Sequence, residues 1–151
     1  MTDTYKSEDT PRNRGEKRNA RKVTKMLIDE DTNMNATDKD GKTPIHNDAQ
    51  GNALKVTKML IDEKANVNAT DNNGKTPLHH AAERDSPKVT KMLIDEKANV
   101  NSTDKNGKTP LHHAAERDSR KVTKMLIDEK ASVDATDNNG KTPLHHAAQM
   151  E

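Results

Sequence analysis

The sequence contains no cysteine, phenylalanine or tryptophan, and Tyr5 is its one aromatic residue. Without cysteine, a disulfide framework, a thiolate metal site and a cysteine nucleophile are all excluded. Only 20 of the 151 residues are Leu, Ile or Val, whereas a chain that builds a conventional core has roughly 20% large apolar residues. A globular core anchored by large rings is therefore excluded.

An excess of charge of one sign is missing as well. Twenty-six basic and 25 acidic residues leave a net charge of +1, and the mean hydropathy is −1.20. Disordered chains combine low hydropathy with high net charge. This chain has the low hydropathy but not the high net charge. Near-neutrality argues against DNA as a partner.

Long apolar runs are also lacking. No stretch approaches the ~18 apolar residues of a membrane span, and residues 1–16 lack the apolar run of a signal peptide. We therefore expect no membrane partner and a cytoplasmic, or alternatively nuclear, protein.

The sequence does have strong self-similarity with a period of 33 residues. Between 71–103 and 104–136, 28 of 33 positions are identical. A fixed period of this length predicts an array of stacked repeats, in which each unit is stabilised by its neighbours. The period is marked by Gly41, Gly74, Gly107 and Gly140, by Pro44, Pro77, Pro110 and Pro143, and by Met59, Met92 and Met125.

The unit at 71–103 predicts a turn, a helix, a second turn and a second helix. Residues 71–74 read Asp-Asn-Asn-Gly, which suits a turn with positive φ. A capping residue precedes a first-turn proline at the start of each helix: Thr76 before Pro77 in the first, and Ser86 before Pro87 in the second. Both helices then carry apolar residues at i, i+3 and i+4: Leu78, Ala81 and Ala82 in the first, and Val89, Met92 and Leu93 in the second.

The pattern Asp-x-x-Gly-x-Thr-Pro-Leu-His-x-Ala-Ala, followed by Val-x-x-Met-Leu-Ile and Ala-Asn-Val-Asn-Ala, resembles the ankyrin repeat. The resemblance covers 38–151 well and 5–37 weakly. It implies an all-α solenoid of stacked helix-turn-helix units with β-hairpin-like turns. We therefore predict one ankyrin-repeat domain over 1–151: a degenerate repeat at 5–37, repeats at 38–70, 71–103 and 104–136, and a truncated repeat at 137–151.

The sequence departs from the family pattern where helices end. The family prefers glycine after both helices, a position that favours positive φ. Asn and Asp tolerate that conformation better than other residues, whereas lysine is strained in it. Thr90 also replaces the usual valine, so we expect a solenoid that is more polar and less stable than its relatives. The replaced glycines are Asn52, Asp85 and Asp118 after the first helix, and Lys64, Lys97 and Lys130 after the second.

The resemblance implies protein–protein recognition through the turn tips and the inner-helix face. The turns also carry a lysine row, which suggests a partner with an acidic surface: Lys42, Lys75, Lys108 and Lys141. Two alternatives stay open: a structural, engineered or duplicated repeat fragment with no dedicated partner, and an ankyrin-repeat effector that acts in a host cell. The predicted partner-binding residues are Lys42, Asn72, Asn73, Lys75, His80, Glu83, Arg84, Lys105, Lys108, His113, Glu116 and Arg117.

Two rows of histidine are the remaining candidates for chemistry. His46, His79, His112 and His145 resemble the family's structural histidine, which ties the turn to the helix. For His80, His113 and His146 we expect partial burial, a lowered pKa and acid sensitivity. Adjacent helical residues diverge by about 100°, so we expect no metal site. We also expect no cofactor and no enzymatic activity, because no unique constellation of catalytic groups is present.

Three segments differ from the regular repeats. The basic run 12–22 suggests a polar capping helix or a frayed one rather than a nucleic-acid patch, since no aromatic residues accompany it. In the second unit, Asn47, Asp48, Gln50 and Gly51 form the most individual surface. In 137–151 no second helix covers Leu144, Ala147 and Ala148, so this end could self-associate.

Overall fold

The computed structural model of the protein describes residues 11–30, 32–51 and 53–149, with side chains from residue 18 onward. The chain forms two compact units, an N-terminal unit at 1–33 and a repeat unit at 34–151. Residues 5–10 of the predicted degenerate repeat, Asn52, and residues 150–151 lie outside the described part. Within that part all regular elements are helices, which confirms the all-α prediction.

The described part of the N-terminal unit is dominated by one helix, α1, Pro11–Asp29. Its first half holds the basic run, and its second half carries an apolar stripe. The hydroxyl of Thr32 donates to the backbone oxygen of Leu27 (2.6 Å) just after the helix ends. Lys25 and Asp29 form an exposed i,i+4 ion pair, of the kind that adds a few tenths of a kcal/mol to a helix.

The repeat unit has two layers of short antiparallel helices. Successive inner helices pack against one another, and so do successive outer helices; each of the first three inner helices also packs against the outer helix of its own repeat. The 33-residue period thus becomes a linear stack. The inner helices are α2 (Pro44–Gly51), α4 (Pro77–Glu83), α6 (Pro110–Glu116) and α8 (Pro143–Ala148); the outer helices are α3 (Leu54–Asp62), α5 (Pro87–Asp95) and α7 (Arg120–Asp128).

The inner helices begin as predicted, while the outer helices begin differently. Thr76 caps α4 by accepting the backbone N–H of His79, with Pro77 in the first turn. Ser86 occupies the N-cap position of α5 and Pro87 follows it, but the serine side chain makes no cap hydrogen bond. The predicted side-chain cap at Ser86 is therefore wrong. In α7 the equivalent Ser119 hydroxyl is turned towards Asp85 of the preceding repeat.

The helices end in left-handed residues where the family has glycine. After α5, Lys97 has φ of 66°, its N–H donates to Ile94, and the N–H of Ala98 donates to Leu93. These two bonds are a Schellman motif. A left-handed L-residue costs roughly 1–2 kcal/mol, so the strain predicted at these lysines is present. Positive φ recurs at Lys64, Lys130, Asp85 and Asp118.

The core is thin and repeats along the stack. Alanines of the inner helices are buried in it, and their small side chains suit a close approach of adjacent helices. Thr90 lies in this core, with its side chain fully buried and its hydroxyl without a hydrogen-bond partner. The fully buried apolar residues of one repeat are Leu78, Ala81, Ala82, Val89 and Leu93.

Replacing Thr90 with valine is expected to stabilise the protein by about 1–2 kcal/mol, because it removes a buried hydroxyl that has no partner. Thr57 is the matched control: it is equally buried, but its hydroxyl donates to the backbone oxygen of Ala53 (2.8 Å). Urea unfolding followed by circular dichroism measures both variants. A gain of the same size for Thr57→Val would contradict this explanation.

Candidate functional site

Each turn is held by the aspartate that opens it, which is buried at Asp71, Asp104 and Asp137 and exposed at Asp38. One carboxylate oxygen of Asp71 accepts the backbone N–H groups of Asn73 (2.9 Å) and Lys75 (3.0 Å). Gly74 has φ of +74°, and its N–H donates to the backbone oxygen of Asp71. The positive φ explains why glycine stands here. The turn is therefore fixed by hydrogen bonds within it.

Neighbouring turns are bonded to one another. The backbone N–H of Lys105 donates to the backbone oxygen of Asn73 (3.0 Å), and the other described turn pairs repeat this bond. The side-chain amide of Asn72 donates to the backbone oxygen of Lys39 (3.0 Å). Asn72 was predicted to contact a partner, but its amide is engaged in joining two turns.

The first histidine row links each repeat to the next. Nδ1 of His79 accepts the backbone N–H of Thr76 (3.0 Å), so the proton of the neutral ring is on Nε2. That Nε2–H donates to the backbone oxygen of Lys108 in the following repeat (2.9 Å). Burial lowers the pKa of His79 to about 4. The same bonds at His46 and His112 support the structural role expected of this row.

The second histidine row is buried too. Nε2–H of His80 donates to Asp71 (2.8 Å) and that of His113 donates to Asp104 (2.9 Å). These residues are only 4% and 7% exposed, so the histidines predicted to contact a partner, His80 and His113, lie buried behind the surface in this structure. Burial lowers the pKa of His80 despite the hydrogen bond to Asp71, which confirms that part of the expectation.

Two clusters bring possible metal ligands together: His79, Asp104 and His113, and the equivalent His112, Asp137 and His146. In each cluster, the ligand atoms lie within 4.8 Å of one another. A metal requires a free lone pair on the ring nitrogen. Because Nδ1 of His79 accepts a backbone N–H, its Nε2 carries the proton and has no lone pair to offer. The hydrogen bonds therefore do not fit a metal ion, and we derive no chemistry from one.

Two lysines of the lysine row are neutralised within the protein. Nζ of Lys75 lies 2.9 Å from a carboxylate oxygen of Glu83, and Lys108 pairs with Glu116 at 3.0 Å. All four side chains are half-buried. Burial alone would raise the pKa of Glu83, but Lys75 and nearby histidines lower it below its usual value. In the second unit Lys42 donates to the neutral Gln50 (3.4 Å).

The remaining predicted contact residues are exposed. At the tips these are Asn73 and Lys105, and the neighbouring Asn106 joins them. At the other end of the inner helices Arg84 and Arg117 are exposed, and among the described residues neither has an ion-pair partner. The accessible surface therefore offers amides and two unpaired guanidinium groups.

Asp48 on α2 is a feature that the sequence interpretation misplaced. It was assigned to the individual surface of the second unit, yet one carboxylate oxygen is buried and has no hydrogen-bond partner. Burial raises its pKa to about 7. The 33-residue alignment contained the signal, because Asp48 stands at the position of Ala81 and Ala114, which are fully buried.

Stacked helix pairs joined by bonded turns define a helical repeat protein, whose candidate site is an extended surface. A family model described as "Ankyrin repeats (3 copies)" matches residues 16–104 and 85–151, and the chain belongs to the ankyrin repeat family. A search of curated proteins found no match. Ankyrin repeats are generally protein–protein interaction modules and are typically non-catalytic. No helix in the described part is long and apolar enough to cross a bilayer.

Proposed function

We propose that the protein is a non-catalytic interaction or scaffold module, which binds a partner protein through its turn tips and the adjacent inner-helix face. The observation that carries this proposal is the hydrogen-bonded register of the tips. Aspartate holds each turn, and each turn is bonded to the next. A surface ordered before binding loses little conformational entropy when a partner docks.

The chemistry of the exposed groups indicates the kind of partner. Arginine is enriched among residues that dominate binding energy, and its planar fork matches a carboxylate. Arg84 and Arg117 are therefore the expected anchors for acidic groups of the partner, and the Asn73 and Asn106 amides at the turn tips are expected to add contacts at the other end of the inner helices. Lys75 and Lys108 contribute less, because Glu83 and Glu116 already neutralise them.

A structural array without a dedicated partner is the second candidate. It is favoured by the identity of 28 of 33 positions between two adjacent repeats, since recognition of an irregular partner usually requires tips that differ. For either function, a reducing compartment such as the cytoplasm or nucleus suits a chain without cysteine.

Affinity capture with the full chain as bait tests the proposal. Proteins captured from a lysate are quantified for the wild type and for the double variant Arg84→Ala/Arg117→Ala. The matched control is Lys88→Ala/Lys121→Ala, which removes two exposed positive charges from the outer helices. A partner that uses the proposed surface is expected to lose about tenfold in affinity with the arginine variant only.

Two results would contradict the proposal. One is capture that responds equally to both double variants, which would indicate non-specific charge attraction. The other is capture that is insensitive both to the arginine variant and to Asn73→Ala/Asn106→Ala. The asparagine changes leave the backbone bonds between the turns in place.

A further inference from the structure

Three of the turn tips contain the dipeptide Asn-Gly, at 73–74, 106–107 and 139–140. All three asparagines are exposed. Asparagine is one of the thermolabile residues, and a following glycine favours loss of its side-chain amide. The reason is that glycine has no Cβ, so its backbone nitrogen can attack the asparagine side chain without hindrance. The dipeptides therefore place a possible covalent change at the turn tips.

The reaction needs only the dipeptide and water. The glycine nitrogen loses its proton and bonds to Cγ of the asparagine, which closes a succinimide ring. The Cγ–Nδ2 bond breaks, and the amide group leaves with that proton as ammonia. Water then adds to one of the two ring carbonyl carbons, and the bond from that carbon to the ring nitrogen breaks. Opening at Cγ gives aspartate, whereas opening at the backbone carbon gives isoaspartate, whose main chain runs through Cγ.

The closed turn holds the attacking nitrogen in place. The N–H of Gly107 donates to the backbone oxygen of Asp104 (2.9 Å). The N–H of Asn106 donates to the carboxylate of Asp104 (2.9 Å), and the backbone oxygen of Asn106 accepts the N–H of Asn138 in the following turn (3.0 Å). The peptide groups on both sides of Asn106 are thus bonded, so the Gly107 nitrogen can turn towards Cγ only when these bonds break.

The turn at 71–75 is restrained in the same way. The N–H of Gly74 donates to the backbone oxygen of Asp71 (2.9 Å), and the backbone oxygen of Asn73 accepts the N–H of Lys105 (3.0 Å). Both Asn-Gly dipeptides are therefore closed by one bond within the turn and one bond from the next turn.

The turn at 38–42 already contains one of the two products. Asp40 stands at the position of Asn73 and Asn106. Its N–H donates to the carboxylate of Asp38 (2.9 Å), and its backbone oxygen accepts the N–H of Asn72 (2.9 Å). These are the bonds of the asparagine-containing turns, so an aspartate formed from asparagine fits the turn. Isoaspartate adds a carbon to the main chain, which shifts the N–H groups of the turn away from their acceptors.

We propose that Asn73 and Asn106 are sites of spontaneous deamidation, and that the bonds within and between the turns control its rate. A closed turn protects its asparagine, and local opening of the turn permits the reaction. Each event replaces a neutral amide at a tip with a carboxylate. The aspartate product keeps the turn, whereas the isoaspartate product weakens the link to the next repeat. This inference does not depend on the identity of any partner.

Peptide mapping by mass spectrometry tests the proposal on the full chain. The protein is kept at mildly alkaline pH, either native or unfolded in guanidinium chloride, and conversion of each asparagine is followed with time. The unfolded chain is expected to lose both amides, and the native protein is expected to react at least about tenfold more slowly, because the reaction must wait for local opening. Asn106→Gln is the chemical control, since its longer side chain disfavours ring closure, and it is expected to remove the conversion at position 106 alone.

Asn138→Ala tests the control by the neighbouring turn. The side-chain amide of Asn138 donates to the backbone oxygen of Lys105 (2.8 Å), beside Asn106. Asn138 is exposed, and circular dichroism checks that the variant remains folded. Loss of this bond is expected to speed conversion of Asn106 at least about threefold, while Asn73 in the same molecule is the internal control and keeps its rate.

Three results would overturn the proposal. An unfolded chain that keeps both amides would show that the dipeptides are not reactive sites. Equal rates in the native and unfolded chains would show that the closed turn gives no protection. An unchanged rate at Asn106 in native Asn138→Ala, or an equal acceleration at Asn73, would show that the neighbouring turn does not control the reaction.

Discussion

Replacing His79 with alanine is expected to destabilise the protein by about 3–5 kcal/mol. The ring is fully buried, so truncation leaves a cavity in the centre of the stack. It also leaves the backbone N–H of Thr76 and the backbone oxygen of Lys108 without the partner that His79 provides. The Thr76 N–H is then an unsatisfied buried polar group, which costs roughly 1–3 kcal/mol, whereas the Lys108 oxygen still accepts the backbone N–H of Asp104. The two groups belong to different repeats. The loss is therefore one of coupling between repeats as well as of a helix cap.

His145 is the matched control for His79. It occupies the same position of the repeat and makes the same bonds with Thr142, but it is exposed. No described repeat follows it, so His145→Ala removes a cap and no link between repeats. We expect a loss of about 1 kcal/mol or less, the usual value of a cap. Urea unfolding followed by far-UV circular dichroism measures both variants, and equal losses would contradict the proposed linking role of His79.

Replacing Asp48 with alanine is expected to stabilise the protein by about 2 kcal/mol at pH 7. The carboxylate has a buried oxygen without a partner and a pKa raised to about 7 by burial. Each unit of pKa shift corresponds to about 1.4 kcal/mol. The expected stabilisation is smaller than the full shift would give, because the side chain is only partly buried. Alanine already fits the equivalent positions, Ala81 and Ala114.

The stabilisation by Asp48→Ala is expected to increase as pH rises. Between the ordinary aspartate value of 3.8 and about 7, the native state binds a proton at Asp48 that the unfolded state does not. Stability of the wild type relative to the variant therefore falls as pH rises through this window. The gain should be largest above pH 7 and small near pH 4. Asp95→Ala, at an exposed position, should change stability by less than about 0.5 kcal/mol; a neutral or destabilising Asp48→Ala at pH 7 would refute the explanation.

The same pH series in the Asp48→Ala background reports on His79. The pKa of its ring falls from 6.5 to about 4 in the native state, so between these values the unfolded state binds the extra proton. The stability that the neutral His79 ring contributes is fully present above pH 6.5. It is lost as pH falls towards 4, and the loss for this group is about 3 kcal/mol. The lowered pKa of His80 acts in the same direction. Below pH 4, the carboxylates of Asp71 and Asp104, whose pKa values are lowered, add to the loss.

Features that depend on residues close together in the chain could be predicted from the sequence. The Thr76–Pro77 cap needs only the N-cap residue and the first turn of a helix, and it was correct. The structural role of His79 came from its place in the repeat motif. The cap at Ser86 was predicted by the same local reasoning and failed, because serine at an N-cap can also bond to another repeat, as Ser119 does with Asp85.

The surface residues could be predicted only in part. The 33-residue period placed Lys75, Glu83 and Arg84 at positions that recur in other repeats. It contained no information on which of these side chains pair with each other. Lys75 and Glu83 are eight residues apart, and they meet because the turn folds back along the inner helix. Arg84 lies one residue further on, beyond the helix end, and stays unpaired among the described residues. Burial of His80 likewise depends on the repeats on either side.

The sequence by itself determined the repeat period, the all-helical class, the family and the position of each turn, because these follow from local spacing repeated along the chain. Only the tertiary structure decided which copies of a pattern are buried. The ten residues at 21–30 and 120–129 are identical, yet Val23 and Leu27 are exposed while Val122 and Leu126 are not. Burial is a property of the neighbours that a helix acquires in the stack. Identical sequences are therefore buried in one place and exposed in another.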